Sequence, residues 1–257
     1  HNRKNRKQHR RNKRQQNSAA KSSCPARSQI CANRCGNVTK QCGGGKRTYN
    51  CTPCHLGGTV RCDVCPKGCA YATMQSAIDA TSAGGTIRVC PGDYRQELTI
   101  PRDITIIGSG QGQDATKNTH LTGTGSAATL TIPGSTVTLK LLRIKEGVGV
   151  VGGGVSGSGG ADVTLEACTV SSNSAEGQDA LGGGIGMQGG KLTMTDCLVT
   201  GNEAAVLGGG IYLSHTTAQL TGTTITENIA ISEGGGGIHA DFGQLTLTDC
   251  HLVSNNA

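Results

Sequence analysis

Cys168-Thr-Val-Ser-Ser-Asn173, Cys197-Leu-Val-Thr-Gly-Asn202 and Cys250-His-Leu-Val-Ser-Asn255 are three copies of one unit. A fourth, Thr223-Thr-Ile-Thr-Glu-Asn228, keeps the pattern with Thr in place of Cys. Between the copies lie Gly182-Gly-Gly-Ile185, Gly208-Gly-Gly-Ile211 and Gly235-Gly-Gly-Ile238. The Asn positions step by 29, 26 and 27 residues, and the Ile positions by 26 and 27. A repeat of this length, built from short β runs and turns without a helix, reads as a solenoid of stacked coils.

Side chains alternate across a strand, which divides each unit into inner and outer positions. In Leu192-Thr-Met-Thr-Asp-Cys197 the pattern predicts Leu192 and Met194 inside and Thr193 and Thr195 outside. Leu245, Leu247, Thr246 and Thr248 repeat it later in the chain. Val170, Val199, Ile225 and Leu252 form a second inward ladder, and Ile185, Ile211 and Ile238 a third, with a coil spacing of ~4.8 Å. The glycine runs permit positive φ and close approach of neighbouring coils. Asn173, Asn202, Asn228 and Asn255 each end a strand. Their amides can bond to one another and to turn backbone, and Asn tolerates the left-handed conformation there. They read as a structural ladder. Cys168, Cys197 and Cys250 read as small buried hydrophobes. A Cys168–Cys197 disulfide between adjacent coils stays open, although Thr223 shows that the position does not require sulfur.

Composition fits this reading. The 257 residues include 41 Gly, one Phe and no Trp. An aromatic-poor chain suits a core of stacked aliphatic ladders. The net charge of +7 is local. Nine of the 24 Lys and Arg fall in residues 1–21 with no acid among them, which leaves 15 cations against 17 acids elsewhere. Residues 1–23 lack the apolar side chains needed to offset ordering entropy and are expected to be disordered. Such a tail serves either as a solvated spacer or as an attractor of polyanions, such as a polysaccharide or a cell-surface polymer. Nucleic acid has little support as a partner, because no aromatic residue interleaves the charges for base stacking. No apolar run approaches the ~18 residues of a membrane span. The first residue is His rather than Met, which would fit a removed export signal.

Nine of the 13 Cys lie between Cys24 and Cys69, which defines a Cys-rich module over 24–69. Cys51-Thr-Pro-Cys54 and Cys62-Asp-Val-Cys65 could supply four thiolates to zinc. Only seven residues separate the two pairs, and the remaining Cys would be unexplained. With Cys90 the total is ten, an even number that five disulfides would consume. The position of Cys90 after Cys69 predicts a bond to Cys69 or Cys65, tying the module to the solenoid. Residues 70 to 83 read as a helix capped by Thr73 and stopped by Gly84-Gly85, with Met74, Ala77 and Ile78 on one face. It should cover the first coil. Strands follow at Thr86-Ile-Arg-Val-Cys90, Leu98-Thr-Ile100 and Ile104-Thr-Ile-Ile107.

Tyr71-Ala-Thr-Met-Gln-Ser-Ala-Ile-Asp-Ala80, Gly85-Thr-Ile-Arg-Val-Cys-Pro-Gly-Asp-Tyr94, Leu98-Thr-Ile and Ile104-Thr-Ile-Ile-Gly108 resemble the N-terminal cap and first coils of right-handed parallel β-helix proteins of the pectin-lyase-like superfamily. The later GGGI units resemble repeats of polymorphic outer-membrane and surface proteins. The resemblance implies an all-β fold: a right-handed parallel β-helix over 70–257 with an N-terminal capping helix, preceded by the tail and the Cys module. It spans lyases, hydrolases, esterases and non-catalytic adhesins, so it implies no single activity.

The catalytic constellations of that superfamily are not apparent. Arg143-Ile-Lys145 echoes a polygalacturonase motif, but the partner Asp pairs and Gly-His-Gly are missing. Asp241-Phe-Gly243 is only a faint echo of a pectinesterase motif. Asp196 and Asp249 share a repeat position but read as turn residues. His215, His239 and His251 occupy different repeat positions, which argues against a metal cluster. No catalytic, cofactor or metal site is therefore assigned. The expectation is an exported, non-catalytic bacterial protein of the cell surface or medium that presents an elongated surface for adhesion or carbohydrate contact. The alternative is a polysaccharide-active enzyme whose site lies beyond residue 257. A third reading, ice binding, rests on outward Thr193/Thr195, Thr221/Thr223 and Thr246/Thr248. The last strand lies bare at Ala257, which predicts further coils or a cap beyond it.

Overall fold

The computed structural model describes residues 37–42, 45–50, 54–55 and 61–257, except 233. Expectations for residues 1–23 and for Cys24, Cys31, Cys35 and Cys51 lie outside the described residues. The chain divides into two compact units. One holds residues 1–61 and 67–70; within it Asn37–Cys42 and Gly45–Asn50 pair as an antiparallel hairpin. The other, Cys62–Pro66 with Tyr71–Ala257, is the solenoid.

Its strands form four parallel sheets, and the coils between Leu130 and Ala230 visit all four in turn. Sheet A contains Leu98–Thr99, Leu130–Pro133, Val155–Ser158, Ile185–Gln188, Ile211–Ser214 and Ile238–Asp241. Sheet B contains Gly85–Arg88, Ile104–Ile107, Thr136–Lys140, Asp162–Glu166, Lys191–Thr195, Thr217–Thr221 and Gln244–Thr248. Sheet C contains Gly92–Arg95, Thr119–Thr122, Leu142–Lys145, Thr169–Ser171, Leu198–Thr200, Thr224–Thr226 and His251–Val253. Sheet D contains Val148–Gly149, Ser174–Ala175, Glu203–Ala204 and Ile229–Ala230. Each strand pairs with its counterpart one coil away, so the hydrogen bonds run along the solenoid axis. The result is a parallel β-solenoid of about six turns with one short helix.

The inner ladders form one continuous core. Leu139, Leu165, Met194 and Leu220 stack in sheet B, and Ile144, Val170, Val199 and Ile225 in sheet C, all buried. Thr193 and Thr195 face outward, half-buried. Thr223 does not: it is a buried corner residue, and the outward positions of its coil are Gln219 and Thr221. The Thr array of the ice-binding reading is therefore interrupted at that coil.

From Thr136 onward, one residue in the left-handed region turns the chain between sheets B and C and another between C and D. Between B and C it is Leu141, Ala167, Asp196, Gly222 or Asp249, with φ of 56°, 48°, 52°, 59° and 51°. Asp196 and Asp249 are thus turn residues. Between C and D it is Glu146, Ser172, Gly201, Glu227 or Ser254, with φ of 57°, 55°, 61°, 57° and 54°. The left-handed residue is therefore the one before each ladder Asn and not the Asn itself. The turn is completed one residue early, which aims the Asn amide into the interior. In the GGGI runs the first glycine supplies the turn, with φ of 71° at Gly182. The second leaves no room for a side chain: a Cβ on Gly183 would lie 2.2 Å from the Glu203 carbonyl oxygen of the next coil.

The helix, α1, spans Met74–Ala80, shorter than the sequence suggested. The Thr73 hydroxyl accepts from the Ser76 N–H at 3.2 Å, and Thr81 leaves the helix in an extended conformation before the glycines are reached. Met74, Ala77 and Ile78 join the same apolar cluster as Ile87, Leu98 and Ile100 at the first coil. Beside it, Cys90 bonds to Cys62, with Cα atoms 5.3 Å apart, and not to Cys69 or Cys65 as the spacing predicted. Val64 forms an isolated parallel bridge with Val89, close to where Cys62 meets Cys90. Cys65 and Cys69 are themselves disulfide-bonded.

Candidate functional site

The interior corners carry chemistry that holds the fold. Asn173 Nδ2 donates to Asn202 Oδ1 at 2.9 Å, Asn202 Nδ2 to Asn228 Oδ1 at 2.9 Å, and Asn228 Nδ2 to Asn255 Oδ1 at 2.9 Å. Each of these oxygens also accepts the main-chain N–H of the preceding Asn, and each amide nitrogen also reaches a strand carbonyl, such as Val170 O from Asn202 at 3.0 Å. The amides of Asn173, Asn202 and Asn228 are buried and fully used, so none of the three has a group left for a ligand. Cys168, Cys197 and Cys250 are free thiols. Each donates to the carbonyl two residues earlier and to one in the neighbouring coil, at 3.3–3.4 Å. The Thr223 hydroxyl donates to Thr221 O in the same way at 3.2 Å. A small side chain with one proton to give is what the corner asks for, which explains the exchange of Cys for Thr. Burial pushes the Cys168 thiol up to about 12 and that of Cys197 to about 11, so neither is a nucleophile at neutral pH.

The outside of sheet C differs. Its strands carry two outward rows in register. One runs Asp93, His120, Arg143, Thr169, Leu198, Thr224. The other runs Arg95, Thr122, Lys145, Ser171, Thr200, Thr226. The segment 108–118 between sheets B and C borders this face. Its Gly112 carbonyl lies 2.8 Å from His120 Nε2, and Gln111 Oε1 accepts the Thr169 hydroxyl at 3.1 Å. His120, Thr122, Thr169 and Ser171 are all buried despite pointing outward.

The charges on this face are unevenly matched. Glu146 pairs with Arg95 at 2.9 Å and with Lys145 at 2.6 Å. The bond from Lys145, then the attraction of both cations, holds the Glu146 carboxyl below its usual range. Asp93 accepts the Thr122 hydroxyl. Arg143 has no acidic partner and no hydrogen bond among the described residues, and burial lowers its pKa. The buried Ser171 hydroxyl also has no partner there. This arrangement can bind an anion and hydroxyl groups. It offers no pair of free carboxylates for acid–base work.

Two further features lie elsewhere. A shallow groove of about 470 Å³ near sheet D is lined by Val148, Val150, Val151, Ala127, Ser156 and Glu176, among others. His215 stacks on Phe242 with ring centroids 5.2 Å apart, and His239 on Tyr212 at 5.7 Å. Among the described residues, no three of His, Cys, Asp and Glu converge as a metal site, and no helix is long and apolar enough to cross a membrane.

Sequence reasoning noticed Arg143 and Lys145 but set them aside for lack of acidic partners. It missed Ser171, Thr169 and Gln111. Alternation in Leu142–Lys145 already placed both cations outside; the neighbouring residues required the register between coils.

No curated protein sequence matches this chain. Among solved structures, a pectin methylesterase mutant in complex with a hexasaccharide is similar, with a TM-score of 0.52 and 14% identity over 76% of this chain. The present chain spans 66% of that protein's length. A pectin methylesterase from Aspergillus niger in deglycosylated form gives a TM-score of 0.44 and 16% identity, covering 76% of this chain and 77% of that one. At these identities the likeness speaks for the pectin-lyase-like fold alone. The family model of the right-handed β-helix region matches residues 105–257, the stretch that holds the Asn ladder, the glycine corners and most of the outward rows of sheet C, and the chain therefore belongs to the right-handed β-helix family.

Proposed function

We propose that this chain is an exported, non-catalytic polysaccharide-binding protein that lays a linear glycan along the outer face of sheet C. The observation that carries the reading is the pair of in-register outward rows. Hydroxyl or cationic side chains fill most positions of both rows at a ~4.8 Å step. The step is periodic while the side chains change from strand to strand, so a linear polymer would be held at a regular spacing by contacts that differ along its length. A neighbour of the same fold is described in complex with a hexasaccharide, which supports the ligand class. Glu146 and Asp93 are engaged, which favours binding over turnover. The disulfide Cys62–Cys90 fits an oxidising compartment. The basic segment 1–23 would add attraction to an acidic polymer or cell surface, in the manner of an adhesin.

The test is affinity electrophoresis of the full chain in gels containing polygalacturonate, alginate or dextran, with parallel assays of reducing ends and of methanol release from methylated pectin. Retardation by at least one polymer without product release is expected. Turnover of any polymer, or no retardation by all three, would overturn the reading.

A further inference from the structure

We propose that the groove beside sheet D takes an extended peptide of another protein, apolar with a central lysine or arginine, as an added strand on the edge formed by residues 148–151. Both the face and the ligand class differ from those on sheet C.

The groove lies against a sheet edge in mid-solenoid. Sheet D begins at Val148–Gly149, whereas sheets A, B and C each continue two strands further toward the first coil. In the coil below, the chain follows this edge only briefly. The Val148 N–H donates to the Ala127 carbonyl at 3.1 Å. The chain then turns in at Thr129, whose N–H donates to the Gly153 carbonyl at 3.0 Å and whose carbonyl accepts the Leu98 N–H at 2.9 Å. The Val148 carbonyl, the Val150 N–H and both main-chain groups of Val151 are left without a hydrogen bond among the described residues. All three residues line the groove. A run of unpaired main-chain donors and acceptors is a template for one more strand. A linear glycan offers no regular row of N–H and C=O groups to such an edge.

Side chains and charge select the occupant. Val148, Val150, Val151, Ala127 and Ala128 give the groove an apolar lining, and Val150 is 57% exposed. Behind the edge stand the exposed acids Glu176, Asp179 and Glu203. None of them has an ion pair among the described residues, and Glu176 accepts only the Ser174 hydroxyl, at 3.3 Å. Val148, Ser174 and Glu203 lie in one outward row of sheet D, so a strand added beside Val148 continues the face that carries these carboxylates. Apolar side chains on that strand cover the valines, and a long cationic side chain reaches Glu176.

The experiment is an NMR titration of the full chain with the synthetic peptide acetyl-Val-Thr-Lys-Thr-Val-amide. Saturable amide shifts at residues 148–151 and at Glu176 are expected. The same peptide with Glu in place of Lys should bind at least tenfold more weakly, and so should a fully N-methylated version, which lacks the main-chain donors. Glu176→Lys should reverse the preference between the Lys and Glu peptides. Val150→Ser should weaken binding of the Lys peptide severalfold. Both positions are exposed, so melting curves should match the parent chain. Shifts that do not saturate, equal binding of the N-methylated peptide, or an affinity for the Lys peptide unchanged in both variants would overturn the proposal. So would broadening at residues 148–151 that grows with protein concentration in the absence of peptide, which marks a second copy as the occupant. Saturable shifts there with polygalacturonate and none with the peptide would mark a glycan and overturn it as well.

Discussion

The two sides of sheet C obey different rules. On the inside, Ile144, Val170, Val199 and Ile225 repeat one chemistry coil after coil, and Asn173, Asn202, Asn228 and Asn255 close each strand alike. On the outside, the same strands change from Arg143 and Lys145 to Thr169 and Ser171, then to Leu198 and Thr200. A stacked core constrains each inner residue through the coils above and below it. An outer residue meets such a constraint only if something binds there. The inner repeat thus accounts for the fold, and departures from repetition on the outer face are where function is to be sought.

The sharpest way to break this comparison is to alter both sides of one strand. Asn202→Ala removes the acceptor of two buried donors of Asn173 and the donor to Val170 O. With each orphaned group costing ~1–3 kcal/mol, the loss should be about 3–5 kcal/mol in urea unfolding. Thr200→Ala, two residues away on the half-buried outer face, should stay within about 0.5 kcal/mol. Equal losses would erase the distinction between the sides.

The disulfide probes the N-terminal end of the core. It closes a loop over a sequence separation of 28, so Cys90→Ala should cost roughly 3 kcal/mol. Cys62→Ala should match it, and the double variant should cost no more than either alone. Additive losses would mean that packing, not the cross-link, carries the effect.

The interior thiols give the most specific signal, because it appears only above pH 9. Their folded pKa values, about 12 and about 11, lie above the ordinary 9.0. An unfolded chain therefore loses these protons first as pH rises. Their contribution is complete below pH 9 and declines from there toward pH 12, by up to ~1.4 kcal/mol per pH unit for each thiol. Melting temperatures measured from pH 8 to 11 should fall, and Cys197→Thr should flatten the slope. Thr is the residue that the equivalent corner uses at position 223. An unchanged slope would show that the thiols do not sense the core.

The repeat of Asn and GGGI was legible because stacking makes equivalent positions equal in sequence. The turn geometry was less so. Left-handed residues at these corners include Ala167, Ser172 and Glu227, none of which advertises positive φ, and the Asn beside them drew the assignment. Cys90 was misassigned because spacing cannot reveal the bridge between Val64 and Val89. Ser171 was invisible for a related reason. A serine in a Thr-rich strand is ordinary until its neighbours across the coil are known.

The sequence by itself therefore determined that this chain winds into a parallel β-solenoid with a capped first coil, since inner ladders impose their period on the residues that form them. Only the tertiary structure decided which outer side chains meet. Arg143 and Gln111 both meet Thr169, which lies 26 and 58 residues further along the chain, because register between coils and the path of segment 108–118 bring them there. That register depends on the length of each turn, which differs from coil to coil, and no local preference encodes it.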